Sequence, residues 1–177
     1  MSLLFSLAKK PILGAFKAYY KLAHTDTIWN ALNKRGNSLF KKNPPILNDL
    51  SQKITTDLKK DGIAVTHLSE LFPDKNILEE LRSHANKLEN KAEVKTKKDF
   101  LEFYFDEFPT LDLENPFVKL ALNEKILGIV NSYMKMLTKF YYFTLNKTVP
   151  SNNSKAIQSQ RWHRDPEDKK LVKIFMY

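Results

Sequence analysis

His163 and Asp165 stand two residues apart in the run Gln158-Ser159-Gln160-Arg161-Trp162-His163-Arg164-Asp165. On a β-strand, residues two apart project from the same face. An imidazole and a carboxylate placed side by side in this way can share one divalent first-row ion without bending the backbone. Trp162 and Arg164 would then face the other side. Two histidines and one carboxylate on adjacent corners leave three coordination positions open, the arrangement of non-haem Fe(II) oxygenases. The spacing alone is a weak signal, because most His-x-Asp pairs are ordinary surface residues. The chain has no Cys, so any metal must be held by His and carboxylates. The same absence removes disulfides, thiolate sites and a Cys nucleophile, and it fits a reducing, cytoplasmic setting.

Other chemistries fit the motif poorly. His163-Arg164-Asp165 is spelled like a kinase catalytic loop, but no glycine-rich phosphate loop precedes it and no Asp-Phe-Gly follows. Lys170 also stands where that loop needs Asn. No His-Glu-x-x-His or three-histidine zinc pattern is present. His24, His67 and His84 precede the motif, in segments that read as helix or first strand, and are taken as structural or exposed.

The elements that must position the pair are read from periodicity. After Lys139 the apolar period changes from 3.6 to 2, and residues 139–149 read as a strand-rich run containing Phe140, Tyr141, Tyr142, Phe143, Thr144 and Leu145. Residues 150–154 form a polar loop. Residues 157–165 and 171–177 read as two further strands joined by the charged turn 166–170. Upstream, the sequence is helical. Asn48 caps a helix stopped at Asp61-Gly62, residues 63–68 read as a short strand, and 69–72 as one helical turn. Asp74 caps a long polar helix, 91–98 is a lysine-rich loop, and 100–108 is ambiguous between helix and strand. Asn115-Pro116 and Asn123 each open a helix. A helical first half leading into antiparallel strands indicates α+β.

The motif, the apolar strand after it, the aromatic strand before it and the Asp61-Gly62-Ile63-Ala64-Val65 opening together resemble the phytanoyl-CoA dioxygenase family. The resemblance spans about residues 48–177 and is most specific from Phe140 onward. It implies Fe(II) and 2-oxoglutarate as cofactors, with decarboxylation to succinate coupled to hydroxylation of a small-molecule substrate. It makes His163 and Asp165 the first two metal ligands. By strand parity, Ser159 and Arg161 share the face of His163, and Tyr142, Thr144 and Asn146 form the polar face of the preceding strand. Of these, Tyr142, Thr144 and Arg161 are the candidate contacts to the co-substrate. The implied fold is a double-stranded β-helix, a cupin-like jelly roll, of which this sequence would hold only the first strands. In the family the distal His and the Arg that pairs with 2-oxoglutarate lie on later strands. The expectation is therefore a C-terminally cut chain, inactive alone, with an open sheet edge prone to self-association.

Net charge is +9, unevenly spread. Residues 1–60 hold 11 Lys/Arg against 3 Asp/Glu, and the remainder 18 against 17. Basic segments interleaved with Gly and stacking aromatics are missing, which argues against nucleic acid. Phe5, Ala8, Ile12, Phe16, Tyr19 and Leu22 recur at helical steps, so residues 3–23 form an amphipathic helix disturbed near Pro11. Asp26 caps a short helix through Lys34, ended by Gly36. Lys41-Lys42-Asn43-Pro44-Pro45 reads as a linker. The organisation is thus a basic helical extension, 1–47, followed by the dioxygenase-like domain, 48–177. No span of about 20 apolar residues is present. The alternative function is a non-catalytic protein that meets an anionic membrane or partner through its basic first third, with residues 1–23 as the peripheral contact.

Overall fold

The computed structural model describes residues 19–73, 76–89, 95–98, 101–103, 112–150, 161 and 168–177. Residues 19–23 are helical, followed by α1 (Asp26–Leu32), α2 (Lys34–Lys42), α3 (Asp49–Asp61), α4 (Leu68–Leu71) and α5 (Ile77–Glu89). Then come β1 (Lys95–Lys98), β2 (Leu101–Phe103), α6 (Pro116–Ala121), α7 (Glu124–Met134) and β3 (Asn146–Thr148).

Helix ends follow local chemistry. The Asn48 side chain accepts from Ser51 N–H at the start of α3, and Gly62 closes that helix at φ +74°. That left-handed value suits glycine because it has no Cβ. Asn115 accepts from Phe117 N–H with Pro116 in the first turn, and Asn123 accepts from Lys125 N–H at the start of α7. Glu70 folds back to Thr66 Oγ1 and the His67 N–H, which hold its carboxyl below the ordinary carboxylate range.

The core lies between α3 and α7, the helix pair in most extensive contact, with α4, α5 and α6 around them. Ile54, Leu71, Phe72, Leu81, Leu120, Ile126 and Ile129 form one buried cluster, and Val118 is wholly enclosed. Thr55, buried on α3, donates its hydroxyl to Ser51 O at 2.8 Å, so its burial leaves no unmet donor. Lys125 ties α7 to α4, donating to Leu71 O at 2.8 Å with its ammonium 5.4 Å from the Phe72 ring centroid.

The expected α+β fold with the first strands of a double-stranded β-helix, or jelly roll, is corrected by this architecture. The described residues are mostly helical, and their sheet is a small antiparallel meander in the order β1-β2-β3. β2 is central, with Glu102 opposite Thr96 and Lys147. None of these strands exceeds four residues, and β1 falls in the run expected to be a loop. The aromatic run 140–145 forms no ladder, nor do 63–67 or 171–177. The reason is competition for the side chains. Thr138 is held by Asn131 Oδ1, which accepts from its backbone N–H and its hydroxyl, and Phe143 stacks on Phe117 at 5.7 Å. The run is thus fastened to α6 and α7 by its side chains. A strand without a neighbour gains nothing from the ladder that would otherwise favour it. Residues 157–160 and 162–165 lie outside the described residues, as do Asp74 and positions 3–18 of the expected amphipathic helix.

The basic segment docks on the body. Leu137 N–H donates to Gly36 O at 3.1 Å, and a Cβ on Gly36 would fall 2.8 Å from Leu137 O. Gly36 therefore lies inside α2, where it permits this approach, and does not end the helix as its type suggests. α1 ends earlier, at Leu32. Pro45 and Leu47 lie against Gly128 of α7. Among the described residues no helix is long and apolar enough to cross a membrane.

Candidate functional site

The donor pair itself, His163 and Asp165, lies outside the described residues, as do Ser159 and Trp162. The residues on either side of it are placed. Arg161 is exposed, two positions before His163. Asp168, three positions after Asp165, accepts from Trp29 Nε1–H at 2.8 Å. The next two residues continue the same attachment. Lys169 pairs with Asp26, and the Lys170 ammonium sits 5.1 Å from the Trp29 ring centroid. The turn that follows the motif is thus fastened to Trp29 on α1, 139 positions before Asp168 in the chain. Trp29 is buried, which anchors the contact to the packed body.

Sequence reasoning misses this attachment. Trp29, Asp26 and Asp168–Lys170 carry no mutual spacing, so no local pattern links them. The only available signal is a lone Trp on a short helix, which is far more often core than site.

Of the co-substrate candidates, Tyr142 and Thr144 lie in the run before β3 and Arg161 is exposed. Tyr142 is half-buried, edge-on to Tyr141 at 4.8 Å. Thr144 is exposed and accepts from Asn146 Nδ2–H at 3.2 Å. Phe143, the residue between them, turns onto the Phe117 ring.

The other histidines are engaged locally. His24 Nδ1 donates to Tyr20 O at 2.6 Å, and its ring lies 3.9 Å from that of Tyr20. His67 is exposed at the start of α4. His84 faces Asn115 Nδ2 at 3.3 Å and meets the Phe117 ring edge-on. Among the described residues no three His, Asp or Glu side chains converge as a metal site. One imidazole and one carboxylate are donor types that suit a divalent first-row ion.

Comparison with protein-family models, with characterised proteins and with solved structures finds no match to this chain.

Proposed function

We propose that the chain carries two metal ligands, His163 and Asp165, of an Fe(II)- and 2-oxoglutarate-dependent oxygenase of the phytanoyl-CoA dioxygenase type. The observation that supports this reading is the donor pair at two-residue spacing, with Arg161 two positions before it and the Asp168–Lys170 turn fastened just after it. When bound, iron and 2-oxoglutarate would couple decarboxylation of the keto acid to hydroxylation of a C–H bond.

The residues of this chain have narrower tasks. His163 would offer an imidazole nitrogen and Asp165 a carboxylate oxygen to the ion. Arg161 would supply a cation suited to a dicarboxylate. Tyr142 and Thr144 supply hydroxyls for hydrogen bonds to it. The attachment of Asp168–Lys170 to Trp29 and Asp26 holds the chain three positions after Asp165. A ligand held in place by its surroundings binds more tightly than one on a loose loop.

Two donors bind weakly, so the 177-residue chain is expected to take up Co(II) or Mn(II) with modest affinity and to form no succinate by itself. Co(II) titration followed by visible absorption and calorimetry tests the assignment. His163→Ala and Asp165→Ala should each lower affinity about tenfold or more. If the double variant binds Co(II) as well as the unaltered chain does, the pair is not a metal site.

A further inference from the structure

We propose that α1 and α2 form a docking face for an anionic lipid bilayer, centred on Leu32 and rimmed by Lys34, Arg35 and Lys42. This contact is independent of the metal reading and uses different residues from the amphipathic stretch 3–23.

The two helices contact each other across Asn33 and enclose a shallow groove lined by Ala31, Leu32, Lys34, Arg35, Ser38 and Leu39. Each helix has an inner and an outer side. On α1 the inner residue is Trp29, while Ile28 and Leu32, one turn apart, face out at 42% and 65% exposure. On α2 Gly36 lies against Leu137, while Arg35, Ser38, Leu39 and Lys42 recur at three- and four-residue steps and are exposed. Large aliphatic side chains therefore stand outside the core, within a frame of cations.

Lys34, Arg35 and Lys42 form no ion pair among the described residues. Elsewhere Lys53 pairs with Asp57, Arg82 with Glu79, Lys119 with Glu114 and Lys147 with Glu89. Between residues 19 and 48 the one acidic side chain is Asp26, and Lys169 already engages it. Among the described residues the face thus presents a cationic rim with no anion paired to it.

The combination selects the partner. A basic rim alone would suit any polyanion. Phosphate backbones offer nothing to Leu32, Ile28 and Leu39, and bases would call for stacking aromatics or planar amides in the groove. An anionic bilayer satisfies both features together. Headgroups neutralise the cations while the aliphatic tips enter the boundary with the acyl chains.

The test is co-sedimentation of the full chain with vesicles of phosphatidylcholine alone or with about one-third phosphatidylserine, at low and high salt. Binding is expected only with phosphatidylserine, and it should weaken at high salt. With roughly fivefold per surface cation, Lys34→Gln/Arg35→Gln should bind about 25-fold more weakly. Leu32→Ser should bind about tenfold more weakly. Circular dichroism checks that each variant is folded. Unchanged binding by Lys34→Gln/Arg35→Gln would place the contact elsewhere and overturn the proposal. So would absence of binding at low salt, or tight binding to duplex DNA that Leu32→Ser leaves intact. Because His163→Ala/Asp165→Ala should bind vesicles normally, failure of the metal assignment and failure of this one are separately visible.

Discussion

Gly62 caps the end of α3 while Gly36 lies inside α2, and the two glycines are needed for different reasons. Gly62 has φ +74° with nothing within 4 Å of the point where a Cβ would stand, so its requirement is purely conformational. Gly36 has an ordinary helical role, but a Cβ there would press on Leu137 O. Replacing Gly62 by Ala should cost about 1 kcal/mol, the penalty of a left-handed L-residue. Asn, which tolerates that region, should cost less. At Gly36 the order reverses. Ala should cost about 1–3 kcal/mol through crowding, and the larger Asn should cost more. Urea denaturation of the four variants measures the two orders. The same order at both positions would mean that one of the two explanations is wrong.

At the scale of elements, the sequence is most legible where a side chain acts on its own backbone. Asn48, Asn115 and Asn123 read as helix starts, and each accepts the expected N–H. Gly62 reads as a stop and is one. Caps are local, so the residue carries its own instructions. Strands are far less legible, because a strand exists only with a partner, and partner choice is not written at a two-residue period. The aromatic run 140–145 has high strand propensity, but Phe143 finds Phe117 and Thr138 finds Asn131. Lys95–Lys98, polar and without a strand pattern, finds β2. For the candidate site, His163 and Asp165 are legible as chemistry, whereas the attachment of the following turn to Trp29 is not. The energetic weight of the elements follows the helix pair at the core. Ile129→Ala on α7 should cost about 2–4 kcal/mol in thermal or urea unfolding, since it empties space within the buried cluster. Ile174→Ala, at an exposed position, should stay within about 0.5 kcal/mol. Comparable losses at both sites would mean that the α3–α7 interface is not the dominant core.

At the scale of the whole molecule, the beginning and the end of the described chain meet at Trp29. Its indole N–H reaches Asp168, its ring lies under Lys170, and Asp26 three residues earlier holds Lys169. The hydrogen bond from Lys169, followed by the charge of that same ammonium, holds the Asp26 carboxyl below its ordinary range. The sign of the pH effect follows. A depressed carboxylate favours the attached state wherever it is ionised, so the benefit is complete above the ordinary carboxylate pKa. It is lost as pH falls through the depressed value. The attachment of residues 168–170 should therefore loosen in acid, while neutral and mildly alkaline pH leave it unchanged. Trp29 fluorescence in a Trp162→Phe background reports this, with far-UV circular dichroism recorded in parallel to detect general unfolding. Asp26→Asn should remove the acid transition. Trp29→Phe keeps an aromatic ring for Lys170 but loses the N–H donor, and should speed amide exchange at residues 168–170 at neutral pH. If exchange there is unchanged in Trp29→Phe and the acid transition persists in Asp26→Asn, the end of the chain is held by other contacts, and α1 has no part in fixing the turn beyond the His163–Asp165 pair.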